Sequence, residues 1–235
     1  IAILLLFPFI FFSSLSEKCY PTFFLFAKAW AWMVLIMTGL IPRTEWMEKP
    51  DKNKVYILSS NHTSLADILL MLAIFPNCFL FIGKKELTKF PLFGYFYKRT
   101  NILVDRKSLR SRRNVFDRAG GKIDEGIGVC IYPEGGVPKD KPLLGTFKNG
   151  AFKLSVDKKV AIIPVTFYDN ERKLPFIFAK GGPGILRVKV HPFLVPNGDN
   201  TEEVDRLRNE CFRIIETELL NDLKLRKNEI GQSRS

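Results

Sequence analysis

The chain has 235 residues, enough for one well-packed domain, and this length argues against a second full domain. Its 36 basic and 24 acidic residues give a net charge of +12, which suits nucleic acid, anionic lipid or phosphorylated substrates. The four cysteines lie far apart and form no Cys-x-x-Cys pair, so the sequence gives no disulfide framework and argues against a zinc site.

Two apolar stretches open the chain. Residues 1–12 are unbroken apolar sequence, but twelve helical residues reach only about 18 Å of a hydrocarbon core about 30 Å thick. Residues 20–42 are apolar apart from Lys28 and contain Trp30 and Trp32, which are favoured at membrane interfaces. One interpretation is a spanning helix at about 20–42; the other is a pair of helices buried in one leaflet, with Lys28 snorkelling. Both predict membrane association.

The rest of the chain has the pattern of an α/β domain, because short apolar runs alternate with amphipathic stretches from Val55 onward. We predict membrane-associated helices over 1–42, the α/β domain over 43–228, beginning with a polar connector, and a frayed tail over 229–235. The predicted strands are 54–59, 78–82, 101–104, 127–132, 160–167 and 185–191. The predicted helices are 65–75, 108–125, 147–157 and 201–226. We interpret His191, at the end of the last predicted strand, as structural.

The first candidate site lies in VYILSSNHTSLAD, residues 55–67. His62 follows a short apolar run that fits a buried strand, and Asp67 falls in the first turn of the next helix. Asp67 could therefore accept a hydrogen bond from one ring nitrogen of His62 and leave the other free to take a proton. Ser64 and Asp67 also fit a helix capping box. The two interpretations are compatible, because a carboxylate in the first turn can serve both purposes.

A basic, aromatic segment covers residues 83–106. Its aromatic residues are contiguous and interrupted by Pro91 and Gly94, which is typical of a loop or short helix rather than a base-stacking surface. They could equally line a groove for an acyl chain. Lys84 and Arg106 flank predicted strand ends, where cations can converge on a phosphate. A solvated basic face beside an anionic membrane is the alternative explanation.

A third stretch, IYPEGGVPKD at residues 131–140, directly follows a predicted strand. Gly135 and Gly136 allow backbone conformations that are closed to other residues, so Glu134 is presented at a strand end beside flexible backbone. Open α/β sheets place ligands at such edges. An ordinary Pro/Gly turn is the alternative.

Together these stretches resemble the 1-acylglycerol-3-phosphate acyltransferase (PlsC-like) family over about residues 55–195. NHTSLAD resembles the family's Asn-His-x-x-x-x-Asp block, and GKKELTKFPLFG with NILVDR resembles its second block. YPEGG resembles the Phe-Pro-Glu-Gly-Thr block, and IIPVTF resembles the Val-Pro-Val block. FKNGAF, at 147–152, is similar to the segment that follows the third block. The four blocks occur in the family's order behind an apolar N-terminus.

The resemblance implies a single mixed-sheet, glycerolipid-acyltransferase-like α/β domain that sits on the cytoplasmic face of a membrane by two N-terminal helices. It implies transfer of a fatty acyl group from acyl-CoA or acyl carrier protein to the sn-2 hydroxyl of lysophosphatidate. The product would be phosphatidate, for phospholipid synthesis, and the reaction would need no metal or cofactor. By position, His62 would be the general base and Asp67 its orienter, in a direct displacement without an acyl-enzyme.

The same resemblance implies a set of substrate-binding residues: Asn61, Lys84, Arg106, Glu134, Gly135 and Gly136. Lys84 and Arg106 would bind the acceptor's phosphate, and Glu134 would hold the glycerol end or its binding loop. Backbone amides near Gly135 and Gly136 would stabilise the developing oxyanion.

The third block departs from the family pattern, which commonly continues Gly-Thr-Arg with an arginine associated with phosphate binding. Here Val137 follows Gly136, and Lys139 or Arg106 would have to substitute as a point charge. This departure leaves open another lyso-lipid acceptor, such as a lyso-aminolipid. Two alternatives lie in other classes: a non-catalytic membrane lipid-binding protein, expected to lack His62 or Asp67, and a nucleic-acid binder. The second is disfavoured because the excess of basic residues concentrates in one segment.

Overall fold

The computed structural model describes residues 2–89, 93–105, 108–136, 143–175 and 180–232. The strands in these ranges are β1 Leu40–Trp46, β2 Ile57–Ser60, β3 Phe79–Lys84, β4 Ile102–Val104, β5 Gly128–Ile131, β6 Ile162–Phe167 and β7 Gly184–Val190. The α-helices are α1 Ala2–Ser13, α2 Tyr20–Met37, α3 Ala66–Ile74, α4 Phe93–Thr100, α5 Leu109–Asp124, α6 Gly150–Lys158, α7 Asn170–Lys173 and α8 Thr201–Gln232. Short 3-10 helices cover Glu17–Cys19 and Lys85–Lys89.

The strands form one mixed sheet in the order β1-β7-β6-β2-β5-β3-β4. Neighbouring strands are parallel except β6 and β7, which are antiparallel. Consequently β1 and β7 run opposite to β6, β2, β5, β3 and β4. The carboxyl ends of these last five strands share one border of the sheet, which we call the carboxyl edge. The mixed α/β sheet predicted from the sequence is thus confirmed.

The central strands β2 and β6 are buried on both faces, and most of their residues are apolar. Leu58 and Ile163 face a core built with α2 and α3. Ile57 and Ile162 face a second core, whose other side chains come largely from α5, α6 and α8. Every residue of β2 and β6 is buried. Two packed layers around this sheet hold the loops of the carboxyl edge in place.

The N-terminal stretches form two packed helices, α1 and α2. Lys28 donates from Nζ to the Phe75 carbonyl at 2.7 Å, and Trp32 Nε1 donates to the Ala73 carbonyl at 2.9 Å. Both bonds hold α2 against the carboxyl end of α3. Residues Glu17–Met37 meet the length and composition of a membrane span, as core helices and signal sequences also can.

Strand β1 was not predicted, and the polar connector expected from residue 42 is wrong over its first residues. In this strand Leu40 is buried whereas Arg43 and Glu45 are exposed, the alternation of an edge strand with one wet face. The predicted boundary after residue 42 therefore falls inside β1. Only Thr38 and Gly39 separate α2 from β1, and Gly39 makes this sharp turn with a φ of 67°.

The six predicted strands and four predicted helices are present, with strand ends within three residues of their expected positions. Helix α8 continues to Gln232, beyond the expected end at residue 226. The frayed tail predicted from residue 229 thus begins inside this helix, and residues 233–235 lie outside the described part of the chain.

Candidate active site

His62 and Asp67 meet at the carboxyl edge, as predicted from their spacing. His62 lies in the loop after β2, and Asp67 lies in the first turn of α3. The two side chains are 2.8 Å apart, from His62 Nδ1 to Asp67 Oδ2. The Asp67 side chain is 0% exposed and that of His62 is 17% exposed. Because a carboxylate only accepts, we assign the proton of neutral His62 to Nδ1, which leaves Nε2 as the basic nitrogen.

The Asp67 carboxylate is held by donors on both oxygens. Oδ2 also accepts from the backbone amides of Thr63 at 2.7 Å and Ser64 at 2.9 Å, while Oδ1 accepts from Asn170 Nδ2 at 2.7 Å. Ser64 Oγ accepts from the Ala66 amide at 3.0 Å. Asp67 therefore holds the amides just before α3 and faces the histidine at once. The predicted capping box is wrong in its N-cap, because Leu65 occupies that position without a side-chain cap hydrogen bond and the Asp67 amide bonds the Ser64 carbonyl rather than Ser64 Oγ.

The imidazole of His62 is clamped by aromatic stacking. Its ring lies 4.1 Å from the Tyr132 ring, centroid to centroid, with 17° between the planes. Tyr132 in turn stacks on Phe81, with centroids 6.3 Å apart and 10° between the planes. Side chains from β3 and from the segments that follow β2 and β5 thus fix the plane of the imidazole.

Glu134 accepts hydrogen bonds from two loops. Oε1 accepts from the His62 amide at 2.8 Å, and Oε2 accepts from the Gly145 amide at 2.7 Å. Burial raises the pKa of Glu134, against these two amide hydrogen bonds, which lower it. Of the two tasks expected for Glu134, this geometry supports holding the binding loops rather than touching the glycerol end.

Asn61 was expected to bind substrate, but its amide is already occupied. Asn61 is 2% exposed. Its Nδ2 donates to the Phe167 carbonyl at 2.9 Å, and its Oδ1 accepts from the Phe167 amide at 2.9 Å. The side chain completes the hydrogen bonding of β6 where the strand ends. It therefore ties the loop after β2 to β6 instead of facing a ligand.

The Gly135–Gly136 turn has the unusual backbone that the sequence predicted, with φ values of 77° and 154°. The Gly135 amide donates to the Tyr132 carbonyl at 3.0 Å, so it closes the turn and is not available to an oxyanion. A side-chain carbon built on Gly135 would lie 2.6 Å from Lys148 Nζ. The ammonium group of Lys148 therefore lies directly over this turn.

The predicted phosphate-binding cations are only partly described. Lys84 is the last residue of β3 and pairs with Val104 of β4, which places its backbone at the carboxyl edge. Its side chain lies outside the described part, as do Arg106, Val137 and Lys139. Within the described ranges, His, Cys, Asp and Glu residues form no group of three or more that could hold a metal ion.

Three site residues were missed at the sequence level: Tyr132, Lys148 and Asn170. Tyr132 belongs to the YPEGG block and Lys148 to FKNGAF, so both lay inside motifs whose chemistry was assigned to other residues. The signal for Asn170 was weaker, because the sequence shows only that it is a polar residue shortly after a predicted strand. All three come to the site through the sheet order, which places β6 and β5 on either side of β2.

Comparison with known proteins agrees with this architecture. The family model described as Acyltransferase matches residues 42–168, more than half of the chain. The chain is similar to a 1-acyl-sn-glycerol-3-phosphate acyltransferase of Chlamydomonas reinhardtii, with 27% identity over 75% of this chain and 52% of that protein. It is also similar to a chloroplastic protein of the same description from Arabidopsis thaliana, with 31% identity over 63% of this chain and 41% of that protein. It thus spans about half the length of these relatives.

A solved structure supports the fold. The crystal structure of the lysophosphatidate acyltransferase PlsC from Thermotoga maritima superposes with a TM-score of 0.75 at 22% identity, over 94% of this chain and 92% of that one. This match shows the shared fold, and the family model supplies the relationship in sequence. The chain belongs to the acyltransferase family.

Proposed function

We propose that this chain transfers a fatty acyl group from a thioester to the sn-2 hydroxyl of lysophosphatidate and so makes phosphatidate for phospholipid synthesis. The observation that carries this proposal is the pair formed by His62 Nδ1 and the buried Asp67 carboxylate, 2.8 Å apart, at the carboxyl edge. The names of the relatives support the same reaction, since they are 1-acyl-sn-glycerol-3-phosphate acyltransferases.

In the proposed reaction His62 Nε2 takes the proton of the acceptor hydroxyl while that oxygen attacks the thioester carbonyl. The tetrahedral intermediate then collapses, the carbon–sulfur bond breaks and the donor leaves as a thiolate, which takes the proton from Nε2 of the His62 imidazolium. Asp67 holds Nδ1–H and stabilises the imidazolium that forms after proton transfer. General base catalysis of this kind typically contributes about 100- to 10,000-fold in rate. Written this way, the reaction uses no metal or cofactor, and acyl-CoA or acyl carrier protein would serve equally as donor.

Stabilisation of the intermediate's oxyanion is assigned to the Gly136 amide rather than to that of Gly135. The Gly135 N–H is already bonded to the Tyr132 carbonyl, whereas Gly136 is the next residue along the same turn. Glu134 supports this arrangement because it holds the loop of His62 and the loop of Gly145 together. Fixed donors of this kind stabilise charge that develops in the transition state.

Lys148 extends the set of cations proposed to bind the acceptor's phosphate. Its ammonium group lies over Gly135, two residues before Val137, which stands where the family pattern has an arginine. We propose that Lys148 binds the phosphate together with the predicted cations Lys84 and Arg106. An ammonium group binds phosphate as a point charge, without the paired geometry of a guanidinium.

Membrane association is the further part of the proposal. Helices α1 and α2 expose large apolar side chains that include Phe9, Phe12, Leu25 and Ile36. This exposure supports the pair of helices lying in one leaflet. We propose the cytoplasmic face for the α/β domain because the domain is basic and positive charge is retained on that side. The acceptor, a lyso-lipid, would then reach the site from the membrane surface, and nucleic acid has no part in this function.

A second candidate, acylation of a different lyso-lipid such as a lyso-aminolipid, is favoured by Val137 in place of the arginine. To separate the two, purified full-length protein in detergent is given a labelled long-chain thioester with lysophosphatidate, a neutral lyso-lipid or a lyso-aminolipid. We expect lysophosphatidate to be preferred and His62→Ala to lower kcat at least about 100-fold. The matched control is His191→Gln, because the chain has two histidines and this one lies away from the site.

Lys148→Met tests the phosphate assignment in the same assay. We expect KM for lysophosphatidate to rise about 10-fold while KM for a neutral lyso-lipid stays unchanged, since a lost charge affects only the charged acceptor. If another lyso-lipid is preferred and His62 is still required, the chemistry stands and the acceptor assignment is wrong. If no acceptor is acylated, the catalytic proposal is wrong and a lipid-binding role replaces it. If His62→Ala stays fully active, the assignment of His62 as the general base is wrong.

A further inference from the structure

Asn170, at the start of α7, donates from Nδ2 to Oδ1 of Asp67, the second oxygen of the catalytic carboxylate, at 2.7 Å. Asn170 is itself 1% exposed. We propose that Asn170 is a positioning residue, which holds the Asp67 carboxylate in the rotation that turns Oδ2 toward His62. Because this role concerns the general base of acyl transfer, it rests on the proposed function.

The chemistry of the contact explains why an amide suits this position. Asp67 Oδ2 is shared by His62 Nδ1 and the amides of Thr63 and Ser64, so its partners lie on one side of the carboxylate. A donor on Oδ1 fixes the opposite side and favours the ionised form. The Asn170 amide supplies this donor without adding charge. Without it, Oδ1 is buried with one donor fewer and the carboxylate is free to turn away from Nδ1.

Asn170 is anchored through its neighbour in the chain, Asp169, which is buried among arginines. Asp169 Oδ2 accepts from Arg187 Nε at 2.8 Å, and Oδ1 accepts from Arg226 Nη2 at 2.6 Å and from Arg172 Nη2 at 3.0 Å. Although burial raises the pKa of Asp169, the hydrogen bonds from Arg187 hold it well below its usual range. Asp169 therefore stays ionised, and its arginine partners on β7 and α8 fix the segment that carries Asn170.

The backbone around Asn170 is also bonded to the catalytic loop. The Leu174 amide donates to the Asn170 carbonyl at 2.8 Å, and Ser64 Oγ donates to the Leu174 carbonyl. The loop of His62 and the single turn of α7 are thus joined at two points, Ser64 and Asp67. A substitution in α7 therefore acts on the orientation of the catalytic pair.

The decisive variants are Asn170→Leu and Asn170→Asp, compared across about pH 6 to pH 9. Two buried carboxylates in contact cannot both ionise, so the aspartate variant retains one proton over the pair at the acid end. The protonated carboxyl then donates to Asp67 as the amide does. We expect Asn170→Asp to keep kcat within about 3-fold of wild type at the acid end and to lose about 10- to 100-fold as the pH rises. For Asn170→Leu we expect kcat to be about 10- to 100-fold below wild type over the whole pH range.

Other titratable groups face the same region and are common to all the variants: His62, Cys130, Tyr132 and Glu134 around Asp67, and Asp169, Arg172, Arg187 and Arg226 beside Asn170. The substitutions at position 170 leave all of these side chains in place. Only the difference between the aspartate and leucine variants reports on the donor at position 170.

A second readout is independent of catalysis. The chain has two histidines, so labelling with ¹⁵N-histidine gives two imidazole spin systems, and His191→Gln identifies them. In wild type we expect the neutral His62 ring to carry its proton on Nδ1. In Asn170→Leu we expect a shift toward the Nε2–H tautomer, while the signals of His191 stay unchanged. Should wild type prove inactive toward every lyso-lipid, the proposed function fails but this spectrum still decides the positioning role.

The control is Asn77→Ala, which removes an amide that donates to the Asp51 and Lys54 carbonyls in a turn away from the site. It should alter neither kcat nor the His62 signals. Arg226→Gln tests the anchor and should lower kcat about 2- to 5-fold. The positioning role is overturned if both Asn170 variants are equally impaired at every pH and the His62 spectrum matches wild type. An unaffected Arg226→Gln overturns the anchoring part.

Discussion

The two histidines of this chain lie in contrasting regions of one sheet. His62 follows β2 at the carboxyl edge, is partly exposed and bonds a buried carboxylate. His191 follows β7, is 2% exposed, and its Nε2 hydrogen-bonds Thr166 Oγ1 at 2.8 Å. Burial lowers the pKa of His191 to about 4, and nearby Lys189 also lowers it, although Glu218 raises it. Neutral His191 is therefore a structural group, whereas His62 is the general base of the proposed reaction.

The direction of one strand separates these regions. β7 is antiparallel to β6, so the chain leaves β7 beside Pro164, in the first half of β6, rather than at the carboxyl edge. Both histidines follow predicted strands of the same sheet. The difference teaches that a residue after a strand becomes functional only where neighbouring strands end at the same border and bring partners to it.

Of the substitutions that test the difference between His62 and His191, Asp67→Asn should have the largest effect. The amide removes the negative charge that stabilises the imidazolium of His62, so we expect kcat for acyl transfer to fall about 1,000-fold. The matched control is Glu218→Gln, which removes the carboxylate whose charge acts on His191. That variant should stay within about 2-fold of wild type. A fall of less than about 10-fold for Asp67→Asn would contradict the assigned role of the pair.

His191 should make stability depend on pH in the acid range. The unfolded chain takes up a proton at His191 near pH 6.5, whereas the folded chain does so only near pH 4, so protons favour unfolding between these values. The contribution is fully present above pH 6.5 and declines by about 3 kcal/mol as the pH falls to about 4. Denaturant unfolding of wild type and His191→Gln at several pH values should show the smaller pH dependence in the variant. If the free energy of unfolding depends on pH equally in wild type and in His191→Gln, His191 is not a buried, neutral group.

Glu134→Gln should lower kcat about 30-fold, which corresponds to about 2 kcal/mol. The amide has one acceptor oxygen, so it cannot serve both the His62 and Gly145 amides, and its NH₂ group opposes one of them. Because burial raises the pKa of Glu134, acid should reproduce part of this loss at a higher pH than for an ordinary glutamate. The control is Glu125→Gln, which removes an exposed carboxylate paired with Lys122 and should leave kcat unchanged. Equal activity of the two variants would remove Glu134 from the site.

Gly135→Ala should have the smallest effect. It should lower the free energy of unfolding by about 1 kcal/mol, because φ at this residue is 77°, which disfavours a side chain. The new methyl group would also displace the flexible end of Lys148 and raise KM for lysophosphatidate. Gly182→Ala is the matched control, since a side-chain carbon there meets no atom within 4 Å. Denaturant unfolding and KM should change for the first variant alone. Equal KM values would argue against Lys148 as a phosphate ligand.

Much of the fold follows from local pattern. Apolar runs such as those of β2 and β6 are buried on both faces and stand out in the sequence, and the pairing of His62 with Asp67 spans only five residues of chain. β1 was missed because it is an edge strand with one exposed side. The residues on that side include Arg43 and Glu45, so the sequence resembles a polar connector.

The missing parts of the site have a different origin. The contact between Asn170 and Asp67 joins residues 103 positions apart, and that between Asn61 and Phe167 joins residues 106 apart. Both depend on β6 lying beside β2, which is a property of the whole sheet and not of either segment. The occupied Gly135 amide could not be foreseen either, because turn geometry decides which amides remain open.

The short turn between α2 and β1 has a consequence for how the protein would work at a bilayer. Thr38 and Gly39 are all that separates the proposed membrane helix from a strand hydrogen-bonded into the sheet, and the Gly184 amide bonds the Gly39 carbonyl at 2.9 Å. So short a connection restricts the movement of the domain relative to the helix, whereas a flexible linker allows the domain to change its position. The height and tilt of the site above the lipid surface are therefore set once, when the chain folds. An acceptor moving laterally in the leaflet would meet a stationary entrance.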